Sequence, residues 1–441
     1  MTPQDKTPEG RLARGLAFGG TAARMGGTYL KYAARKPFVR AEDREQARRT
    51  MNEESAEALF GGLCRLKGTA LKIAQMLSLE LDIFPPEMRR ELEKSYTDVP
   101  PMNRAMARKV LVNAYGDRPE DVLASFDSQA FAAASLGQVH RAVGHDGAQL
   151  ALKIQYPTIR RTIGDDIRLL RGLLRPFAER KALDPAITEI ETRFMEETNY
   201  LAEAENARFF RDNLDLDNVR TPLVYDDLCT NRVLCMSFME GKPLNHWLAA
   251  DPPQEARDTV ARRLDDIFLQ GFYELRCIHA DPNPGNYIIA DDLTVGLVDF
   301  GCVKRFTPEF VLQYQRLPQI ITQGGKEEYF DALRRMDLVN KDLDRETEEA
   351  IYECAYAFGT WLGRLFDNEH FDFGAETGYI GEGKEIMRAM FRHRKHFTMN
   401  PDLVFLDRTR YGLMRIYEQL KCRISLRNPY ECPEYIPGGK E

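Results

Sequence analysis

His279-Ala280-Asp281-Pro282-Asn283-Pro284-Gly285-Asn286, followed closely by Val298-Asp299-Phe300-Gly301, is the stretch whose reading decides the fold. Phosphoryl transfer from ATP needs a carboxylate near the acceptor and oxygen ligands for Mg²⁺. An Asp, an Asn five residues later and the Asp of a D-F-G triplet supply these groups, and Asp281, Asn286 and Asp299 keep that order and spacing. Two carboxylates and an amide oxygen suit Mg²⁺, a hard cation that takes oxygen ligands. Taken singly, the first run reads as a Pro/Gly-rich turn with capping residues and the second as a chance triplet. Together, with Leu297-Val298 entering as a strand, they mark a nucleotide-dependent phosphotransfer site.

Upstream, Leu150-Ala151-Leu152-Lys153-Ile154 puts a lysine inside an alternating apolar strand. An ammonium buried without compensation is costly. In kinases such a lysine binds the α- and β-phosphates and pairs with a glutamate on a nearby helix. The alternative is a lysine at a strand edge that reaches solvent, and the segment before it decides between them. That segment, Phe131-Ala132-Ala133-Ala134-Ser135-Leu136-Gly137-Gln138-Val139-His140, stands where a kinase carries its glycine-rich phosphate loop. G-x-G-x-x-G is absent; Gly137-x-Val139 survives, with alanines and a serine in place of glycines. Backbone N–H groups still cradle phosphate there, although alanine disfavours the positive-φ geometries open to glycine.

The pattern around these motifs sets the architecture. Leu59, Leu63, Leu66, Ala70, Ala74 and Leu77 recur at steps of three and four, the stripe of an amphipathic helix. Phe84-Pro85-Pro86 and Val99-Pro100-Pro101 punctuate a helical extension over residues 42–115. Short alternating runs flank Gly144-His145-Asp146-Gly147, the signature of a β-hairpin. Helices are expected near 158–181 and 186–212, a buried strand at 232–239, and mostly helix from 254, apart from a strand–turn–strand near 287–300. The fold class is α+β: a two-lobed, protein-kinase-like fold with an N-terminal all-helical extension. The expected segments are a basic Gly/Ala-rich stretch 1–41, the extension 42–115, a small lobe 116–240, a helical lobe 241–428 and an irregular tail 429–441.

Bulk properties narrow the function. With 43% hydrophobic residues the chain can bury a full core. A net charge of −7 argues against general nucleic-acid binding, which favours basic domains. The eight cysteines form no C-x-x-C pair, so a zinc site or a disulfide framework is not expected. No apolar run is long enough to span a bilayer, and no secretory signal is read. Residues 10–40 carry Arg11, Arg14, Arg24, Lys31, Arg35, Lys36 and Arg40 without one acid, beside Leu12, Leu16, Phe18, Met25, Tyr29 and Leu30. Such a segment suits an anionic membrane surface; an ordinary docked helix with solvated charges is the alternative. The expected location is cytoplasmic, peripheral on the inner face of a membrane.

The A-A-A-S-L-G-Q-V-H loop (132–140) and Lys153-Ile154-Gln155-Tyr156-Pro157 closely resemble the UbiB family of atypical kinases, over a match running from about Leu63 to Gly301. The resemblance implies roles for further residues. Leu71-Lys72-Ile73-Ala74-Gln75 is similar to the family's K-x-G-Q motif, so Lys72 and Gln75 are implied to reach into the active-site cleft and cover the groove where a protein substrate would bind. Ala74 replaces the glycine of that motif. The stretch Glu196-Glu197-Thr198-Asn199-Tyr200 to Glu205 is similar to E-x-D-Y-x-x-E-A, implying that Glu197 pairs with Lys153 and that Glu203 lies near Lys72; Asn199 stands where the family has Asp. Residues 234–240 correspond to the hinge, with the backbone of Phe238 and Met239 implied to bind adenine. Ala133, Ala134, Ser135, Gly137 and Val139 are implied to cradle the phosphates.

The family further implies ATP and Mg²⁺ as cofactors and support of isoprenoid-quinone (ubiquinone) biosynthesis at a membrane. Lipid or quinone-like small molecules and quinone-biosynthesis proteins are the implied partners. In this reading Lys153 holds phosphates, Asn286 and Asp299 hold Mg²⁺, and Asp281 orients a nucleophile whose identity the sequence does not give. A small-molecule kinase of the aminoglycoside or choline type shares H-x-D-x-x-x-x-N and is the second reading, opposed by the Ala-rich loop and by Lys72 and Gln75. A nucleotide-gated lipid-binding scaffold with little catalysis is the third, favoured by Ala74 and Asn199 and opposed by the intact Lys153, Asp281, Asn286 and Asp299.

Overall fold

A computed structural model describes residues 102–432 apart from 135, 158, 174–186, 189–190, 193, 322–324, 340–342, 394–395 and 398–399, together with scattered positions between 20 and 54. Lys72, Gln75, Ser135 and most of the expected segments 1–41 and 42–115 lie outside the described residues. The chain divides into two compact units: Met1–Leu201 with Asp227–Cys235, and Ala202–Asp226 with Met236–Glu441.

In the first unit, helix α1 (Arg104–Tyr115) opens at Asn103, whose side chain accepts from the Met106 amide at 2.8 Å, and closes at Gly116 in the left-handed region, φ 78°. Both are standard helix-end chemistry. A four-stranded sheet follows in the order β1-β2-β3-β4, with β1 Ser125–Ala134, β2 Gly137–Val143, β3 Gln149–Gln155 and β4 Val233–Ser237. The hairpin expected at Gly144–Gly147 is there, with Val143 opposite Gln149 and Gly147 at φ 82°. Strand β1 alternates exposed and half-buried residues along its whole length, as an edge strand does, whereas β3 is buried from Leu152 to Gln155. Leu152 and Ile154 are fully buried, each worth roughly 1.5–3 kcal/mol of transfer free energy. They anchor the strand that carries Lys153.

Helix α2 (Ile159–Leu173) follows the sheet. The single helix expected over 186–212 is broken at Thr198-Asn199, and α3 (Tyr200–Asn213) starts afresh. The cause is local competition for backbone groups. The Thr198 hydroxyl donates to the Met195 carbonyl at 2.6 Å, and the Thr198 carbonyl accepts from Gln155 Nε2 at 2.9 Å. A carbonyl taken by β3 is lost to the next helical turn.

The second unit is mainly helical. Helix α4 (Gln254–Leu269) buries Val260, Ala261, Leu264, Ile267, Phe268 and Leu269 and runs into one π-turn, Gln270–Glu274. Beyond it sit a two-stranded antiparallel ladder and a four-stranded sheet whose central pair is flanked by Val219–Arg220 and Lys242–Pro243. Strand β5 (Cys277–His279) pairs β8 (Val303–Arg305), with His279 opposite Val303; β6 (Tyr287–Ile289) pairs β7 (Val295–Leu297), with Tyr287 opposite Leu297. The expected strand–turn–strand near 287–300 is therefore present, but β5, β8 and the pair Phe371–Asp372 with Arg423–Ile424 go beyond it. Strands of two or three residues are too short to show period-2 alternation in a sequence. Phe272 is the aromatic hub, with ring centroids 5.1 Å from Phe306 and 5.5 Å from Tyr314. Helices α5 (Pro308–Gln319), α6 (Arg345–Asp367) and α7 (Pro401–Leu420) follow in the same unit, with further helices at Gly325–Arg335 and Tyr379–Arg392. Segment Asn428–Cys432 is irregular in backbone, and Asn428, Glu431 and Cys432 are buried; residues 433–441 of the expected tail lie outside the described residues.

Candidate active site

The ladders of the second unit place the decisive loops side by side. Since β5 pairs β8 and β6 pairs β7, the loop 280–286 and the loop 298–302 leave the same paired strands. Backbone bonds fasten one to the other: Ala280 N–H to Cys302 O and Val298 N–H to Asn286 O, both 2.9 Å. A short 3₁₀ turn, Pro284–Asn286, is capped by Asn283, whose side chain accepts from the Gly285 amide at 3.0 Å. This turn directs Asn286 inward, where its Nδ2 donates to Asp281 Oδ2 at 2.9 Å and to Asp281 O at 3.2 Å. The amide is thereby oriented, and no described residue hydrogen-bonds its Oδ1, the atom able to bind a cation.

Asp299 is held just as specifically. His279, at 5% exposure, donates from Nε2 to the Asp299 carbonyl at 2.7 Å. Its ring lies edge-on to Phe300, 5.8 Å between centroids. Asp299 has φ 64°, a left-handed conformation that a side chain adopts at a cost. The Gly301 N–H donates to Asp299 Oδ1 at 3.3 Å, and Asn206 of α3 donates to the Phe300 carbonyl at 3.1 Å. Asp281, Asn286 and Asp299 are thus brought into one network. Among the described residues no group of three His, Cys, Asp or Glu forms a metal cage. Mg²⁺ is usually held by one or two carboxylates together with waters and substrate phosphates, so the donor set fits that ion and that manner of binding. Met239 packs on Gly296, where a Cβ would stand 2.7 Å from its Cε, so it rests on the strand that leads to Asp299. Ser237, to which no role is assigned, accepts at Oγ from the Leu223 N–H at 2.9 Å. Glu203, on α3, is buried at 2% exposure.

In the first unit, Lys153 is 6% exposed and faces Val139 across the β2–β3 ladder. Its Nζ lies 5.4 Å from the centre of the Tyr200 ring, a cation–π contact absent from the sequence reading. Glu197 is half-buried before the break that starts α3. The expected phosphate loop is a tight hairpin: Ala133 pairs Gln138 and Ala134 pairs Gly137. Ala133 is exposed, Ala134 and Val139 half-buried, and Gly137 buried. Two buried side chains fasten this hairpin. Gln138 accepts at Oε1 from the Met102 N–H and donates from Nε2 to His140 Nε2, both 2.7 Å, and His140 Nδ1 donates to Asp127 O at 2.9 Å. With one ring nitrogen accepting, His140 is neutral, in line with burial pushing its pKa down. Gln138 and His140 carried no sequence signal beyond their place in the loop.

Gly137 is needed for space rather than for φ. A Cβ there would lie 2.2 Å from the Ile154 carbonyl oxygen and 2.8 Å from the Tyr200 hydroxyl. Gly137→Ala is therefore expected to push β2 off the lysine strand, costing about 1–3 kcal/mol as overpacking does. Mg-ATP affinity in a calorimetric titration should fall about tenfold, while Ala133→Gly, on an exposed residue, should change it far less.

A strand lysine, an Asp-x-x-x-x-Asn loop and a D-F-G aspartate define a kinase-like phosphotransfer protein. Comparison with known proteins sharpens the class. The ABC1 atypical kinase-like domain matches residues 94–330. The chain is 30% identical over 397 residues to the mitochondrial atypical kinase COQ8B of Rattus norvegicus, covering 88% of this chain and 74% of that protein. It is 30% identical over 295 residues to the probable protein kinase UbiB of Tolumonas auensis, covering 60% of this chain and 54% of that one. Among solved structures, Rv3197 of Mycobacterium tuberculosis, in complex with erythromycin, aligns with a TM-score of 0.58 over 86% of this chain and 96% of that chain at 22% identity, a likeness of fold. The chain belongs to the ABC1, or UbiB, family of atypical kinases.

Proposed function

We propose that this protein binds Mg-ATP and acts as an atypical kinase or ATPase supporting isoprenoid-quinone (ubiquinone) synthesis at a membrane. The observation that carries the reading is the Asp281–Asn286–Asp299 network, held by His279 and by the backbone bonds between its two loops. In this proposal Lys153 and the backbone of Ala133, Ala134, Ser135, Gly137 and Val139 hold the phosphates, and the backbone of Phe238 and Met239 binds adenine. Asn286 and Asp299 hold the metal ion, which neutralises charge on the phosphates when bound. Asp281 orients the attacking oxygen of water or of a small acceptor. Glu197 positions Lys153, and Glu203 serves Lys72 and Gln75 of the extension.

Among the described residues no helix is long and apolar enough to cross a membrane. The proposed location is peripheral, with the basic stretch 10–40 on an anionic surface and quinone-like lipids as the regulating partners. Phosphate release from ATP, followed with and without vesicles of anionic lipid containing a short-chain quinone, tests this reading. Release that depends on Mg²⁺ and rises with the vesicles is the expected result. Lipid-dependent nucleotide binding without release would replace the enzyme by a scaffold, and phosphate appearing on an added metabolite would replace it by a small-molecule kinase.

A further inference from the structure

Glycine inside a helix costs about 1 kcal/mol relative to alanine, and Gly412 sits well inside the 20-residue helix α7. Its surroundings explain it. A Cβ on Gly412 would lie 2.2 Å from Cγ and 2.9 Å from Cβ of Pro282, the residue immediately after Asp281. The helix backbone therefore rests directly on the catalytic loop. At its start the same helix holds the strand that follows D-F-G: Asp402 pairs with Lys304 Nζ at 2.5 Å, and that ammonium lies 5.4 Å from the centre of the Phe405 ring. Lys304 stands opposite Ile278 on β5, one residue before His279. The loop that carries Asp281 and the strand that leaves the D-F-G loop are thus touched by one helix.

That helix is fixed in turn by a buried polar cluster. Arg410 forms a forked ion pair with Glu431, which also accepts from the Tyr273 hydroxyl at 2.8 Å and from Asn428 Nδ2 at 3.1 Å. Two turns further on, the Tyr417 hydroxyl donates to Asp265 of α4 at 3.2 Å. Leu406, Leu413, Met414 and Ile416 are buried on the same helix, so the ion pair adds to apolar packing in fixing where it lies. At Gly412 there is no space between helix and loop.

We propose that α7 is a brace for the catalytic loop and that Gly412 is a positioning residue for Asp281, setting the height of the loop through Pro282. The inference rests on the reading of Asp281 as the group that orients the nucleophile. A helix resting on the residue next to the catalytic carboxylate controls its placement, and displacements of about 1 Å cost up to about a hundredfold in turnover.

The test compares steady-state ATP turnover, Mg-ATP affinity and melting temperature in wild type, Gly412→Ala and Gly412→Ala/Pro282→Ala, with Asp281→Asn as reference. Gly412→Ala is expected to lower kcat at least tenfold while Kd for Mg-ATP stays within about threefold. Trimming Pro282 in the double variant should return most of the lost turnover. A general loss of helix stability would move the melting temperature and would not give this split between kcat and Kd. Wild-type turnover in Gly412→Ala, or a loss that Pro282→Ala does not relieve, overturns the brace. If Gly412→Ala does not fold, Asp402→Asn is measured instead, and unchanged turnover in that variant overturns the brace equally. Unchanged turnover in Asp281→Asn would instead remove the functional reading on which the brace depends.

Discussion

Asp299→Asn is expected to weaken Mg²⁺-dependent nucleotide binding severely and to leave the fold intact. The change is nearly isosteric, and asparagine is among the few residues that tolerate a left-handed backbone such as the φ of 64° at this position. The bond from His279 reaches the main-chain carbonyl and so survives the change. The contact from the Gly301 N–H needs an acceptor oxygen at Oδ1, which the amide also offers. What disappears is the one negative charge of the side chain. Mg²⁺ is held by one or two carboxylates together with substrate phosphates, so losing the carboxylate charge removes a large part of what the protein adds to the ion's binding. A loss on the order of a hundredfold in Mg-ATP affinity follows, about 3 kcal/mol at 1.4 kcal/mol per decade. Calorimetric titration with and without Mg²⁺ reads it, and an affinity equal to wild type would remove Asp299 from the metal site.

How much of this was visible in the sequence depends on the kind of signal. The order and spacing of Asp281, Asn286 and Asp299 sufficed to predict a joint site, because a catalytic loop and a D-F-G triplet are contiguous motifs with fixed chemistry. Lys153 was legible as a charge out of place in an apolar strand. The hairpin turn at Gly144–Gly147 and the buried strand near 232–239 followed from alternation and turn residues, but not their place in one four-stranded sheet. By contrast, the break at Thr198-Asn199 depends on Gln155 reaching across from a strand more than forty residues earlier, and local propensity contains nothing of that contact. Tyr200 beside Lys153 and His279 under Asp299 were each quoted within a motif but given no part, because a ring's role comes from what it faces. Gly412 is the extreme case. In the sequence it is only a weak spot in a helical pattern; its meaning is distance to Pro282, a residue 130 positions away. Lys72, Gln75 and Ser135 lie outside the described residues, and their parts in the site stand as proposals.

Removing the charge of Glu431 should be among the most destabilising single changes in the helical unit. Glu431 and Arg410 have side-chain exposures of 7% and 13%, and Glu431 is bonded on both oxygens. Deleting one partner of a buried pair strands the other charge, at a cost of about 3–5 kcal/mol. For a unit of this size each kcal/mol moves the melting temperature by roughly 2–4 °C, so Glu431→Ala should melt about 10 °C or more below wild type. The double change Arg410→Met/Glu431→Leu should recover much of that loss, since hydrophobic replacement of a buried pair is often neutral. Equal melting of Glu431→Ala and wild type would show that the pair does not hold α7. The pH dependence gives an independent reading of the same cluster. Loss of hydration, and then the charge of Glu431, push Asp265 up to about 7; loss of hydration does the same to Asp407, against the pull of Arg410. Both acids titrate near 4 in an unfolded chain, so between about pH 4 and pH 7 the native state holds more protons than the unfolded one. Their contribution to stability is therefore full below pH 4 and is lost as the pH rises toward 7. In Glu431→Ala one source of the upward push on Asp265 is gone, so the variant's deficit against wild type should narrow as the pH is raised from 5 to 8. A deficit that widens over that range would mean that Glu431 does not act on Asp265 through its charge.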